Sequence, residues 1–448
     1  MSKSTDLKNI KTIILCGGIG KRMFPIETDK SLLKFNGIPL IIHQIKSAKN
    51  AGLDNFIIVC NEFNRARLEA VITDVPGVNA DFVIQPDASG MADAILTCAS
   101  NINNDPFILV SSNDIFENSA YTELLSQYEN NADCAAYITA RKVEHYFPGG
   151  YLDIDKNGYI NNIIEKPEPG KQPSNLVNIV LHLHSRPDAL LEYLKSTDSD
   201  QDDVYEKALN IMLTNQYKMK AVPYESSWHA IKYPWHILEV MQYFLDKLES
   251  WKSSKVTIAD RVTIHGKVFI GENVRILEGV TIRGPSYIGK NSVIGNNVLI
   301  RNSYIGEDCV IGYNTEVKQS YINDGCWFHS NYVGDSVIDN NCSMGAGTVT
   351  ANFRLDESEI ELKLEDKRIN TGHDKLGVFL GAHCRVGINT SIMPGIRIGA
   401  NSVIGPHLNI EQDIDSGKRV IGNFRYIMVD NTSNIIDDKR TKLYKKIM

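Results

Sequence analysis

The sequence predicts two architectures in series: an α/β domain built on a mostly parallel sheet, then a parallel β-helix. Three observations carry this. Short apolar strands alternate with helical segments in the first third of the chain, a glycine-rich turn follows the first of those strands, and isoleucine returns every six residues in the second half. Length agrees, because 448 residues exceed what a single hydrophobic core organises.

In the first third, the expected strands are Thr12–Leu15, Phe56–Cys60, Phe82–Ile84 and Phe107–Ser111, with a helix from about Pro39 to Ala51. Strands alternating with helices imply a sheet covered on both faces. Ligands of such sheets bind at the carboxyl ends of the strands. The turn after the first strand reads Cys16-Gly17-Gly18-Ile19-Gly20-Lys21-Arg22. Its glycines let the backbone approach phosphates and aim N–H groups at them, and Arg22 has a fork that grips phosphate oxygens. It is neither a Walker A loop nor a clean dinucleotide fingerprint.

The repeat starts at Ile258 and runs through Ile264, Ile270, Ile276, Ile282, Ile288, Ile294 and Ile300. The step then alternates between five and six as far as Met344, and six returns from Leu380 to Ile410. Neither an α-helix nor an alternating strand keeps a period of six. Gly, Asn or Asp often follows the apolar residue, as tight corners with positive φ require. Each hexapeptide is therefore one flat face, and three close a triangular coil that buries its edges only against neighbouring coils. Between the halves, PWHILEVMQYFLDKLESWK carries an apolar stripe at helical spacing. The expected boundaries are 1–234, a linker helix 235–253, and 254–448.

A formal net charge of -7 argues against nucleic acid or a membrane surface as partner, though not against a nucleotide bound in a basic pocket. The start lacks a signal-peptide core, and no apolar run is long enough to span a bilayer. The eight cysteines are scattered and never form C-x-x-C, so buried free thiols and a cytoplasmic setting are expected.

Further motifs follow the glycine loop in order: Lys30 in DKSLLKFNGIP, Gln85 and Gly90 in QPDASGMADA, Asp114 in FILVSSNDIF, Glu165-Lys166-Pro167, and Asn178 in SNLVNIVLHL. This ordered set resembles the sugar-phosphate nucleotidylyltransferase family over roughly the first 250 residues. The resemblance implies a Rossmann-like domain taking a nucleoside triphosphate, UTP or dTTP, and a sugar 1-phosphate. It implies that Cys16, Gly17, Gly18 and Gly20 bind the triphosphate, that Arg22 and Lys30 act on its phosphates, and that Gln85 and Gly90 read the base. Asp114 would hold Mg2+, Gly150, Glu165 and Asn178 would contact the sugar, and Lys166 its phosphate. Departures from the family pattern fall at Asp29, Met91, Val180 and Ala230, the last in the slot of a second metal-binding carboxylate. His229 or Glu225 are the replacements in reach by sequence.

The repeat resembles the hexapeptide-repeat family, which implies a left-handed coil and a homotrimer. Within it, HSNYVGD, SMGAGT, Asn352 and a charged insertion to about Gly377 resemble the acetyltransferase half of bifunctional UDP-N-acetylglucosamine pyrophosphorylase/glucosamine-1-phosphate acetyltransferases. That resemblance implies acetyl-CoA as co-substrate, His329 as general base, and Tyr332 and Asn352 at the sugar. Ser358 and Glu361 stand where archaeal relatives have lysines, leaving Lys363, Lys367 or Lys375 for the phosphate. Three readings stay open from the residues: a nucleotidylyltransferase with an active acetyltransferase half, one whose β-helix only trimerises it, and a regulatory subunit that binds nucleotide-sugars without turnover.

Overall fold

A computed structural model of the chain describes residues 9–131, 133–364, 367–423, 425, 427–432 and 437–447. The N-terminal sheet has nine strands. Lys11–Leu15 lies at its centre, parallel to Asn55–Cys60 on one side and Phe107–Ser111 on the other. Asn79–Ile84 continues the parallel half. Beyond Phe107–Ser111 the sheet turns antiparallel, through Leu176–His184, Ala136–Lys142 and Gly150–Ile154. The sheet is thus mixed rather than mostly parallel. Lys11–Leu15 and Asn55–Cys60 are apolar on both faces and buried under helices, which suits parallel pairing. The helix expected near Pro39 runs Leu40–Asn50.

The repeat forms three parallel sheets of eight, nine and eight strands. Its isoleucines stack in columns, Ile270 on Ile288, Ile305, Ile322 and Ile338 being one. They fill a continuous interior. Ile276 pairs with Ile294, Ile294 with Ile311, and Phe328 with Met344, so the coil shortens from 18 residues to 17 and then 16. The five-residue steps of the sequence are these lost corner residues. Corners are turned at positive φ by asparagines such as Asn273, Asn291 and Asn314. The linking helix is His236–Asp246, and Trp251–Lys252 already pairs with Val268–Ile270 as the first strand of the stack.

One outer face of the coils is aromatic. Trp251, Phe269, Tyr287, Tyr304 and Tyr321 stack with ring centroids 4.7, 4.8, 4.9 and 4.8 Å apart, the spacing of neighbouring strands. This ladder meets Phe35, Phe244 and Leu245 in a cluster shared by both halves. The Tyr321 hydroxyl donates to the Lys34 carbonyl at 3.0 Å. The loop that follows the glycine turn also lies on the β-helix. Asp339, buried in the coil wall, accepts from Thr28 Oγ1 at 2.7 Å and from the N–H groups of Glu27 and Thr28 at 3.2 and 3.3 Å.

Candidate active sites

Gly17–Gly20 leaves the carboxyl end of the central strand, and Gly20 adopts φ 63 where the turn meets a short 3-10 helix bearing Arg22. Gly18 is open, so backbone N–H groups there are accessible. Cys16 is different: it is buried, its N–H donates to Val59, and its carbonyl accepts from Asn64. Its backbone is committed to the fold. Gly17 lies against Gln85, whose oxygen would be 2.5 Å from an added Cβ. Gln85 donates to the Gly90 carbonyl at 3.1 Å and to Asp93 at 2.8 Å. Gly90 opens its helix at φ 91, a backbone conformation that favours glycine, with the Asp202 carboxylate against it.

Gly150, Glu165 and Asn178 converge. A Cβ on Gly150 would sit 2.8 Å from Asn178 Nδ2 and 3.0 Å from Glu165 Oε2. Glu165 pairs with Lys166 at 2.8 Å. Beside them lies a cavity of about 130 Å³ that Glu165, Lys166, Asp202 and Glu206 share with apolar neighbours. Burial, then the Glu165 charge, pushes the Glu206 carboxyl up to about 8.

Asp114 lies between the loop and this cradle. Burial raises its carboxyl, and Lys232 is the charge that opposes this most. Trp228 Nε1 donates to Asp114 Oδ1 at 3.0 Å. Ala230 is Asp114's register partner in a two-stranded sheet, so a methyl stands where a second carboxylate would face it. His229 does not replace it. Alternation turns it to the other face, where its ring packs on Tyr243 at 4.9 Å. Glu225 is exposed beyond the strand. One buried carboxylate with phosphates near suits Mg2+, which keeps waters and needs few protein ligands. Among the described residues no group of three His, Cys, Asp or Glu side chains gathers elsewhere for a metal.

The cations gather on the same spot. Lys30 reaches the Ile231 carbonyl at 3.4 Å, and burial, then Arg22, pushes its ammonium down to about 8. Lys232, which the sequence reading missed, donates to the Pro148 carbonyl at 2.8 Å and lies 3.6 Å from the Phe147 ring centroid. Strand alternation did not mark it, because the strand ends at Ala230 and Lys232 lies two residues beyond.

In the β-helix, Tyr332 and Asn352 meet over Gly334, with Asn352 Nδ2 at 3.3 Å from the Tyr332 hydroxyl. Asn352 also donates to Asp335, and Asp335 pairs with Lys318 at 3.0 Å. Arg301 and Lys318 stack in register below Gly334. These two cations, also missed in the sequence, stand nearest the pair in register, whereas Lys363 and Lys367 are exposed on the paired strands Glu361–Leu364 and Lys367–Asn370. Lys375 is exposed with its ammonium 5.6 Å from the Phe353 ring centroid. His329 is exposed at a corner three residues before Tyr332. In adjacent coils that corner is Gly312 and Gly345, each following the residue that pairs with Phe328.

An α/β domain of this form joined to a hexapeptide coil defines a class of nucleotidyl-transferring enzymes. The family model described as Nucleotidyl transferase matches residues 11–245. That described as Bacterial transferase hexapeptide (six repeats) matches 267–302 and 377–412. Over 414 residues the chain is 33% identical to the bifunctional sugar-1-phosphate nucleotidylyltransferase/acetyltransferase of Sulfurisphaera tokodaii, covering 91% of this chain and 99% of that one. Over 429 residues it is 31% identical to the bifunctional protein GlmU of Methanococcus maripaludis, covering 91% and 96%. A solved UDP-glucose pyrophosphorylase complexed with UDP-glucose aligns with TM-score 0.47 and 21% identity over 53% of this chain and 99% of that one. The chain belongs to the family of bifunctional sugar-1-phosphate nucleotidylyltransferase/acetyltransferases. No helix among the described residues is long and apolar enough to cross a membrane.

Proposed function

We infer that the N-terminal domain joins a sugar 1-phosphate to UTP or dTTP, giving an NDP-sugar and pyrophosphate. The observation that carries this is that Lys232 and Lys30 both act on one buried carboxylate, Asp114, and that each of the two lysines in turn feels the Arg22 charge from the glycine-loop side. A sugar-phosphate oxygen forms a bond to the α-phosphorus, the bond from that phosphorus to the bridging oxygen breaks, and pyrophosphate leaves with the electron pair. The nucleophile is already an anion, so no strong base is needed. The barrier is charge repulsion, which fixed cations offset. Gly17, Gly18 and Gly20 present N–H groups to the triphosphate, and Arg22 takes the departing phosphates. Gln85 and Gly90 hold the base, Glu165 and Asn178 orient the sugar, and Lys166 steadies its phosphate. Asp114 is the residue that would hold Mg2+, whose charge would add to theirs.

The second half N-acetylates an amino-sugar 1-phosphate in this reading. His329 takes the amine proton as nitrogen attacks the thioester carbon of acetyl-CoA, and CoA leaves as the thiol. Asn352, Tyr332 and Lys318 hold the sugar phosphate. The reading is supported by His329 being the side chain at a glycine corner, which gives an imidazole room beside Tyr332. A homotrimer in the cytoplasm is the expected assembly and setting. The deciding experiment is pyrophosphate release over UTP, dTTP and CTP against a panel of sugar 1-phosphates with Mg2+. No release from any pair would leave the regulatory-subunit reading.

A further inference from the structure

The pairing of Asp114 with Ala230 leaves the reaction centre one carboxylate short, and two residues on, past the end of that strand, stands a lysine. Lys232 is held rather than loose. Its ammonium donates to the Pro148 carbonyl at 2.8 Å and sits 3.6 Å from the centroid of the Phe147 ring. Phe147 packs on Trp228 at 4.8 Å, and Trp228 donates to Asp114 at 3.0 Å. One chain of contacts thus runs from the carboxylate to the lysine through two aromatic rings. A cation–π contact and one carbonyl fix the ammonium but leave donors free, since an ammonium carries three.

Its position is between the two ends of the site. The charges that act on Lys232 are Asp114 and Arg22 from the nucleotide side and Glu165 and Lys166 from the sugar side. Pro148 precedes Gly149, whose carbonyl accepts from the Lys166 N–H at 3.1 Å, and then Gly150 of the sugar cradle. The ammonium thus feels charges from the nucleotide side and from the sugar side alike.

We propose that Lys232 is a phosphate-contacting catalytic residue, a fixed cation that stabilises the anion at the joined α-phosphate and sugar phosphate where a second metal-binding carboxylate is missing. This rests on the nucleotidyl-transfer reading. A carboxylate at 230 would recruit metal charge, whereas an alanine there with lysine at 232 builds the positive charge into the chain. The ammonium does not dissociate with the metal, so part of the nucleotide affinity becomes independent of Mg2+.

The test compares wild type with Lys232→Gln, Lys232→Arg and the double variant Lys232→Gln/Ala230→Asp. UTP and dTTP binding are measured by calorimetry with and without Mg2+, Mn2+ binding by electron paramagnetic resonance, and kcat and KM alongside. Lys232→Gln should lower kcat roughly 100-fold, weaken metal-free nucleotide binding about 10-fold, and leave the circular dichroism unchanged. Lys232→Arg should recover metal-free binding. The double variant should bind Mn2+ at least about 10-fold more tightly than wild type, as a second carboxylate joins Asp114. Metal-free binding equal in wild type and Lys232→Gln would overturn the proposal whether or not the enzyme turns over. Should wild type release no pyrophosphate with any sugar, the parent reading fails, and the binding comparison still decides Lys232. A Lys232→Gln protein that is unfolded hands the decision to Lys232→Arg, where loss of metal-free binding despite the retained positive charge counts against the proposal.

Discussion

Thr28 Oγ1 donates to Asp339 Oδ1 at 2.7 Å, across 311 residues of sequence. The two residues join the loop that carries Arg22 and Lys30 to the wall of the β-helix. Asp339 also accepts from Asn323 at 3.1 Å, so a buried carboxylate is satisfied from both halves. The β-helix therefore acts on the first site as a mould for its loop. Asp339→Ala leaves the Glu27 and Thr28 N–H groups without their acceptor. It should cost about 2–4 kcal/mol of stability and raise the KM for nucleotide several-fold, while acetyl transfer keeps its KM. Thermal melting and both activities check this, and an unaltered nucleotide KM would separate the loop from the wall.

Arg22 is exposed beside the open glycine loop, near Tyr233 at 6.0 Å from the ring centroid. Exposure means that its removal leaves the fold intact. Arg22→Ala should cost about 3 kcal/mol in the transition state, or roughly 100-fold in pyrophosphate release. A variant that turns over at the wild-type rate would remove Arg22 from the mechanism.

Glu206 gives a pH signature. Burial holds its carboxyl at about 8 in the native chain, against an ordinary value of 4.5. Between those values the native state keeps a proton that the unfolded state has released. Stability from this group is therefore present below the unfolded value and is lost as pH rises through about 8. Glu206→Gln should stabilise the protein more at pH 8 than at pH 5, by at least about 1 kcal/mol. Denaturant melts at the two pH values decide it. An equal effect at both would mean that Glu206 is ionised in the native state.

The coil interior was legible because every sixth residue meets the same environment, so burial writes itself into the sequence as a period. The Gly150–Glu165–Asn178 cradle was legible through motif order. Three things were not. The aromatic ladder from Trp251 to Tyr321 shares the coil period and hides behind the isoleucines. Lys232 stood in a segment read for a missing carboxylate rather than for a gained cation. Lys318 and Arg301 meet Gly334 only through register, which joins residues 16 and 17 apart on neighbouring coils that no local motif links. The expected mostly parallel sheet failed because strand direction is set by pairing: the antiparallel strands Ala136–Lys142, Gly150–Ile154 and Leu176–His184 lie beyond Ser111, where the strands from which the parallel pattern was read end.

The corner carrying His329 is bordered by exposed apolar side chains: Trp327 on its own coil, and Tyr313, Val349 and Ile388 on other coils of the stack. A single chain leaves this strip to solvent, and a three-fold assembly would cover it. Light scattering should give a trimer at micromolar concentration, and Trp327→Asp should shift it toward monomer. Acetyl transfer should fall with assembly while pyrophosphate release does not. A monomeric wild type would defeat this assembly.

The acetyltransferase half then stands or falls on His329. Its neighbours in the glycine column contribute only backbone, so the imidazole has room for an amine and a thioester. The imidazole must accept the amine proton as the nitrogen attacks the thioester carbon. His329→Ala should lose roughly 100-fold or more in transfer from acetyl-CoA to an amino-sugar 1-phosphate. Pyrophosphate release should be unchanged, because no site residue of the first domain touches that corner. Lys318→Ala, by contrast, should act on the KM for the sugar phosphate more than on kcat, since its ammonium sits with Asp335 and Asn352 rather than at the reacting nitrogen. Absence of acetyl transfer in the trimeric wild type would leave the coil as an assembly module. Transfer that survives His329→Ala would move the base to another residue, and a KM unchanged by Lys318→Ala would take the phosphate away from this register.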